Sequence, residues 1–159
     1  MIFVKTQPGT SPIVVEAHLP AAPAQVFDSW TDPEVIKKWF GREPGMLSAA
    51  EIDLRPGGRW RFVETFGPGS PSGFEGQYLT IEPNELLIFT WSKIVESSSA
   101  TAKDKEYSKV EIQLVANGAG TDMTIVHSAL VDVDSSRNFA FGWEVGVANL
   151  VGYISETEQ

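Results

Sequence analysis

The sequence predicts an α+β fold, in which helices cover one face of an antiparallel sheet. The first observation is a long apolar stretch without proline, residues 138–154, in which Phe139, Trp143 and Val147 share one side at 100° per residue. The second is a period of two between residues 49 and 127, where turns rich in glycine and proline separate alternating segments. These two patterns predict a long C-terminal helix that packs on a curved antiparallel sheet.

The chain before residue 49 supplies one strand and two short helices. Residues 1–11 contain proline, glycine and serine and are predicted to form a flexible arm, whereas residues 13–19 alternate as a strand does. Pro23 and Pro33 suit the first turns of two helices, and Asp32 is a candidate N-cap for the second. The predicted buried sides of the helices carry large apolar residues, namely Val26, Phe27 and Trp30, then Val35, Ile36, Trp39 and Phe40, and Gly41 ends the second helix.

Six further strands share the alternation of apolar and polar residues. They are predicted at residues 51–55, 59–66, 76–81, 86–91, 110–114 and 123–127. Residues 92–106 are polar and predict a mobile loop. Asp134 is the predicted N-cap of the long helix. With the strand at residues 13–19, the sheet has about seven strands, and the chain as a whole, residues 1–159, is expected to form one domain.

The composition restricts the functions open to this chain. Its 159 residues are enough to bury a core without disulfides, and the absence of cysteine excludes thiol catalysis. We expect a cytoplasmic protein, because the start shows no signal-peptide pattern and no segment approaches the roughly 20 apolar residues of a membrane span. The formal charge of −9 argues against nucleic-acid partners, since the basic residues are too sparse to form a stripe.

Six pieces of sequence form a pattern typical of one family. They are FDSWTDPEVIKKWF at residues 27–40, DLRPGGRW at 53–60, GQY at 76–78, FTW at 89–91, GTDMTIVH at 120–127, and the pair Gly142 and Trp143. Together they resemble the START-like (SRPBCC) helix-grip superfamily, and within it proteins similar to the C-terminal domain of the activator of the 90-kDa heat-shock-protein ATPase. The resemblance covers about residues 13–154.

In that superfamily the long helix crosses the concave side of the sheet, often with a cavity between them, so the resemblance implies a site for an apolar small molecule or lipid. Gly142 and Gly146 each cost about 1 kcal/mol relative to alanine in helix propensity, which indicates either space for a ligand or close packing. The predicted ligand-binding residues face inward: Trp60, Phe62, Tyr78, Trp91 or Phe89, His127, Trp143, Gly146 and Tyr153. Ordinary core packing accounts for the same aromatic residues.

Two polar residues occupy positions that the alternation predicts to face inward. Glu64 and His127 each continue a series of inward apolar residues at spacing two. If both reach one cavity, they are weak candidates for a catalytic acid/base pair, as in the cyclases and hydrolases that share the fold. The alternative is that each lies half solvated at a strand end. His18 falls on the outward side of its strand and is expected at the surface.

Other catalytic and cofactor patterns do not fit the sequence. No Gly-x-Ser-x-Gly motif accompanies the serine, histidine and aspartate residues. Two histidines without cysteine argue against zinc, and residues 132–136 begin like a calcium loop but lack its later glycine and glutamate. We therefore predict neither a metal nor a cofactor.

Three functions are compatible with these features. The first is binding of an apolar small molecule or lipid without catalysis. The second, implied by the resemblance, is a co-chaperone-like interaction module with a chaperone partner. The third is a cyclase-like or hydrolase-like enzyme that uses Glu64 or His127. An open apolar cavity favours the first function, a filled core the second, and a closed polar cavity the third.

The outer side of the long helix predicts a homodimer. A helix packed on a sheet normally turns charged residues to water, but here the side opposite the sheet carries Phe141, Val145, Ala148 and Gly152. A second copy could cover this surface through a two-fold contact, which is the commonest closed symmetry of soluble oligomers.

Overall fold

The fold was analysed in a computed structural model that describes residues 2–4, 13–40, 45, 47–64, 72–93, 108–128 and 133–157. Within the last helix, side chains are described from residue 143 to residue 155. The elements in chain order are β1 (Ile2–Val4), β2 (Ile13–Leu19), α1 (Pro23–Thr31), α2 (Pro33–Trp39), β3 (Leu47–Ile52), β4 (Arg59–Glu64), β5 (Ser72–Glu82), β6 (Leu86–Lys93), β7 (Ser108–Asn117), β8 (Gly120–Ser128) and α3 (Val133–Thr157).

The strands form one antiparallel sheet in the order β1-β2-β8-β7-β6-β5-β4-β3. Strands β3 to β8 follow one another as neighbours, and β2 closes against β8 with Ile13 opposite His127. The described sheet has eight strands rather than about seven. The additional strand is β1, which pairs with β2 where the sequence predicts a flexible arm over residues 1–11. Ile2 and Val4 lie opposite Ala17 and Val15, so backbone pairing to the edge of β2 orders this part of the arm.

The two short helices follow the sequence prediction closely. Val26, Phe27 and Trp30 of α1 are buried, as are Ile36 and Trp39 of α2. The Asp32 side chain accepts a hydrogen bond from the Glu34 backbone N–H at 2.9 Å, which confirms the predicted N-cap. Gly41, the predicted end of α2, lies outside the described residues, and the C-cap residue is Phe40.

Helix α3 is longer than the predicted segment 138–154. It begins at Val133, so the predicted cap Asp134 lies inside the helix. Of the predicted sheet-facing stripe, Trp143, Gly146, Val147, Leu150 and Ile154 are buried, and Tyr153 is half-buried against the core. The helix contacts β1, β2 and α2. None of the described helices is long and apolar enough to cross a membrane.

The two ends of the sheet differ in how the strands are connected. At one end, short turns join β3 to β4, β5 to β6 and β7 to β8. At the other end lie the connections from β4 to β5, from β6 to β7 and from β8 to α3. We call this second end, where Glu64, Ser108 and Ser128 lie, the long-loop end. Most of the loop predicted at residues 92–106 lies outside the described residues.

Trp143 should be one of the main contributors to the stability of the fold. Its side chain is 5% exposed and packs against the Trp30, Trp91 and His127 rings. We expect Trp143→Ala to lower the free energy of unfolding by about 3 kcal/mol or more, because it leaves a cavity and removes a buried hydrogen bond. Chemical denaturation measures this. Val115→Ala is the control, because Val115 is 62% exposed and its truncation should change stability by about 0.5 kcal/mol or less. Equal midpoints for the two variants would contradict the packing of α3.

Candidate functional site

The inward face of β4, β5 and β6 carries a continuous layer of aromatic rings. We call this layer the aromatic wall; it consists of Trp60, Phe62, Phe74, Phe89 and Trp91. The Trp60 ring centroid lies 4.7 Å from that of Phe62, 5.4 Å from that of Phe89 and 5.2 Å from that of Trp91. Phe74 extends the wall, with its centroid 4.5 Å from that of Trp91. The tilted and edge-on arrangements are those that aromatic pairs prefer.

The wall changes from fully buried to partly buried along the sheet. Trp60, Phe62, Phe89 and Trp91 are all 4% exposed or less, whereas Phe74 is only partly buried. Phe74 lies near the start of β5, opposite Phe62 and two residues from Ser72, which pairs with Glu64. The wall therefore reaches a partly exposed ring at the long-loop end.

The five tryptophans of the chain form one continuous series of ring contacts, which we call the tryptophan file. Trp39 contacts Trp30 at a centroid distance of 4.9 Å, Trp30 contacts Trp143 at 6.0 Å, and Trp143 contacts Trp91 at 5.3 Å. Trp60 completes the file through Trp91. The file joins α1 and α2, through α3, to the aromatic wall, so the predicted ligand-binding residues Trp60, Trp91 and Trp143 pack directly on one another or on a shared neighbour.

His127 is held by hydrogen bonds at both ring nitrogens. The Trp143 indole N–H donates to Nδ1 at 3.0 Å, and Nε2 lies 2.6 Å from the Ser108 hydroxyl oxygen. An indole nitrogen can only donate, so Nδ1 must be the acceptor and Nε2 must carry the proton. The Ser108 hydroxyl in turn donates to the Trp91 backbone carbonyl at 3.3 Å. The result is a directed chain from Trp143 through His127 and Ser108 to β6.

The surroundings of His127 keep its imidazole neutral. The residue is 0% exposed, and burial lowers the pKa of His127 to about 3. A protonated ring would also lose the Nδ1 lone pair that receives the Trp143 hydrogen bond. At neutral pH, the imidazole therefore joins helix and sheet and has no accessible basic nitrogen for proton transfer.

The remaining predicted ligand-binding residues have different surroundings. Tyr78 is 2% exposed beside Phe89, and burial raises the pKa of its phenol. Gly146 is buried on the sheet-facing side of α3, and Tyr153 is half-buried against the core. These three residues belong to the core or its border, as do the tryptophans.

The sheet order separates the two residues predicted as an acid/base pair. Glu64 ends β4 and His127 lies in β8, with β5, β6 and β7 between them. Four steps between neighbouring strands amount to roughly 19 Å along the sheet. Glu64 is half-buried at the long-loop end, whereas His127 is fully enclosed. The alternation correctly predicts that His127 faces inward, but it carries no information on how many strands separate the pair.

Two residues of this region were missed in the sequence. Ser108, the partner of His127, faces the same side as Val110 and Ile112, so extending the alternation of β7 two residues back would have found it. Phe74 similarly precedes Gly76 and Tyr78 at spacing two. In both cases the predicted strand began too late.

The second histidine lies at the surface, as the sequence predicts. His18 Nδ1 is 2.8 Å from one carboxylate oxygen of Asp122, and the Asn117 amide donates to the other at 2.9 Å. The hydrogen bonds from His18 and then Asn117 lower the pKa of Asp122. Among the described residues, no group of three or more His, Asp or Glu side chains is arranged to hold a metal ion.

Residues 20–155 match the family model described as Activator of Hsp90 ATPase homolog 1-like protein. The chain belongs to this family. A comparison with curated protein sequences finds no match. The family assignment agrees with the resemblance to helix-grip proteins and with the strand order, the two short helices and the C-terminal helix described above.

Solved structures share the fold of this family member at low sequence identity. A protein from Rhodobacter sphaeroides is 21% identical, with 98% of this chain and 99% of that chain covered and a TM-score of 0.76. A solution structure from Arthrobacter aurescens is 19% identical over 97% and 91% of the two chains, with a TM-score of 0.78. CalU16 from Micromonospora echinospora is 24% identical over 98% and 84%, with a TM-score of 0.64. At these identities the similarity establishes the fold alone.

The hydrogen bonds of His127 predict its tautomer and its response to pH. Nitrogen-15 NMR should detect the Nε2–H form, with no protonation of His127 between pH 8 and pH 5. The variant His18→Gln leaves one histidine in the chain, so the signal is assigned without ambiguity. An Nδ1–H tautomer, or titration within that range, would contradict the geometry.

The same pKa difference predicts lower stability in acid. An unfolded histidine protonates near pH 6.5, whereas folded His127 stays neutral down to about pH 3. The contribution of His127 to the free energy of unfolding is fully present above pH 6.5. It decreases as the pH falls towards 3, by up to about 1.4 kcal/mol per pH unit. Denaturation midpoints of wild type and His127→Gln, measured between pH 7 and pH 4, should show a smaller acid loss in the variant.

Proposed function

We propose that the protein binds an apolar small molecule or lipid at the long-loop end of the aromatic wall, without using His127 in catalysis. The observation that carries this proposal is the continuation of the wall from fully buried Trp60 to partly buried Phe74. A ligand that stacks on Phe74 and reaches towards Trp91 would extend the existing ring contacts. The family assignment supports the proposal, because binding of apolar ligands is common in this fold.

The proposed position differs in part from the set of residues predicted from sequence. Trp60, Phe62 and Trp91 form the inner part of the wall, where each ring already packs on other rings. A ligand would displace these contacts at a cost in dispersion energy, so the more accessible Phe74 is the better first contact. Tyr78 contacts Phe89 of the wall, and His127 and Trp143 contact Trp91. Tyr153 of α3 packs at the border of the core.

The geometry favours binding over catalysis. His127 has its two ring nitrogens occupied and its pKa lowered, which removes it as a general acid or base near neutral pH. Glu64 has the better position of the two candidates, because it is half-buried at the long-loop end. We propose that Glu64 supplies a polar group at the border of the site, where it would orient the polar end of a mostly apolar ligand.

Phe74→Ala tests the proposed site. Native mass spectrometry of the purified protein first identifies any co-purifying molecule, and long-chain fatty acids and planar aromatic probes are then titrated while tryptophan emission is recorded. We expect a saturable change in wild type and about tenfold weaker binding in Phe74→Ala, because a phenyl ring contributes roughly 1.5 kcal/mol or more when buried. Leu79→Ala is the matched control, since Leu79 lies on the same strand and is 49% exposed.

Unchanged affinity in Phe74→Ala would contradict the proposed position. The absence of any bound molecule or emission change would instead favour the co-chaperone alternative. The family description supports that alternative, and a filled interior suits a protein that acts through its surface. Stimulation of the ATPase of a 90-kDa heat-shock protein by the purified chain would then identify the chaperone partner.

We further propose a homodimer through the outer side of α3. Ala148 and Gly152 are exposed and Val145 is half-buried, so this side offers small apolar residues to a partner, with Glu144 at its border. Phe141, the fourth predicted contact, lies outside the described side chains. Sedimentation should show a wild-type dimer that Val145→Glu converts to monomer, because a buried, unpaired carboxylate is strongly unfavourable. Glu144→Gln is the control, and a monomeric wild type would remove α3 from any interface.

A further inference from the structure

A second concave site lies on the opposite face of the sheet from the aromatic wall. A groove of about 290 Å³ opens on the outer side of β3, β4 and β5 and is lined by Glu51, Arg59, Trp60, Arg61, Glu75, Gly76 and Gln77. We call it the outer groove. Its polar lining distinguishes it from the site proposed above, and buried Trp60 is the residue that it shares with the aromatic wall.

An irregularity of the sheet lies next to this groove. The register of β5 and β6 shifts between Tyr78 and Thr80, just beyond Gly76 and Gln77, which lie between the Glu75–Ser92 and Tyr78–Phe89 pairs. There the Gln77 N–H donates to the Thr90 hydroxyl at 2.8 Å, and the Thr90 carbonyl accepts from the Trp60 indole at 3.2 Å. Gly76 is required at this point, because a Cβ would lie 2.0 Å from the Thr90 carbonyl oxygen. A hydrogen bond to a side chain thus joins β6 to Gln77, one of the residues that line the groove.

The charged side chains of the groove divide into two rows. In the first, Arg61 lies between Glu51 and Glu75, its partners on β3 and β5, and its Nε is 3.5 Å from a Glu75 carboxylate oxygen. In the second row Arg59 lies opposite Gln77. Within the described part of the chain, no side-chain hydrogen bond or ion pair engages Arg59 or the Gln77 amide. The second row therefore offers the hydrogen-bond donors of Arg59 and Gln77. The first row, with two glutamates and one arginine, carries one more negative charge than positive.

This arrangement suits a ligand with both signs of charge. The Arg59 guanidinium can bind a carboxylate through two parallel hydrogen bonds, and the Gln77 amide can donate to the same group. Glu51, on the neighbouring row, is placed to accept an ammonium group. The two arginines and two glutamates sum to zero, and the chain as a whole carries −9, so a simple anion would be repelled at long range whereas a molecule of zero net charge would not.

We propose that the outer groove binds a compact zwitterion of the amino-acid type, with its carboxylate on Arg59 and Gln77 and its ammonium group towards Glu51. The groove volume is near the lower limit of ligand sites, which fits a small polar metabolite rather than a lipid. This site is independent of the aromatic wall, so each of the two proposals stands or falls separately.

A series of zwitterions tests the proposal on the intact chain. Glycine, β-alanine and γ-aminobutyrate are titrated while the backbone amide signals of Glu51, Arg59 and Gln77 are followed by NMR, and acetate and methylammonium serve as probes with a single charge. We expect at least one zwitterion to give saturable shifts with about tenfold higher affinity than either single-charge probe, since it gains a second charge-assisted contact. The preferred chain length then reports the distance between the two charge sites.

Substitutions of single residues test the proposed contacts of Arg59 and Gln77 with the zwitterion. Arg59→Gln should weaken binding of the preferred zwitterion about tenfold, and Gln77→Met should weaken it less, because it removes uncharged donors. Lys109→Gln removes an exposed cation from β7 and should have no effect. All three side chains are exposed, so the amide spectrum should otherwise retain its dispersion. Three results would overturn the proposal: no shift with any zwitterion, equal affinity for acetate, or equal weakening by Lys109→Gln.

Discussion

The hydrogen bond from the Trp143 indole to His127 is the interaction on which the helix–sheet arrangement depends. It is buried, and it joins α3 to the long-loop end of β8, where His127 is 0% exposed and Trp143 is 5% exposed. Leaving either nitrogen without a partner would cost about 1–3 kcal/mol, so the bond fixes which side of α3 faces inward. It also fixes the histidine tautomer and, through Ser108, connects the helix to the backbone of β6. A residue type often associated with catalysis thus has an architectural role here.

The interior has two parts with different properties, one around the Trp143–His127 hydrogen bond and one around Phe74. Around Trp143 the rings of Trp30, Trp91 and His127 pack closely, and a ligand there would have to break existing contacts. Towards the long-loop end the same layer includes Phe74, which is only partly buried. The closely packed part around Trp143 contributes to stability, and the proposed binding position lies at the other part, around Phe74. Aromatic residues suit both core packing and ligand binding, so composition alone does not distinguish the two.

Much of the fold could be predicted from the sequence, because its local signals are strong. The alternation of apolar residues defines β2 and β8, the Asp32-Pro33 pair defines the start of α2, and the apolar side of α3 is correct wherever side chains are described. The errors occur where long-range pairing decides the structure. β1 pairs with the edge of β2, and although Ile2, Phe3 and Val4 favour strands, so short a run does not reveal which strand it pairs with. The separation of Glu64 from His127 likewise depends on strand order, which periodicity does not encode.

The hairpin of β4 and β5 shows how one local feature can serve both faces of a sheet. On the inner face, the Trp60 indole needs a hydrogen-bond acceptor, and it obtains the Thr90 carbonyl of β6. That carbonyl is then committed to the indole where Gly76 passes close to it, and Gln77 bonds to the Thr90 hydroxyl instead. Gly76 and Gln77 line the outer groove together with Arg59 and Arg61. The constraint that orients the centre of the aromatic wall therefore also shapes the floor of the outer groove, and substitution of Gly76 would disturb both.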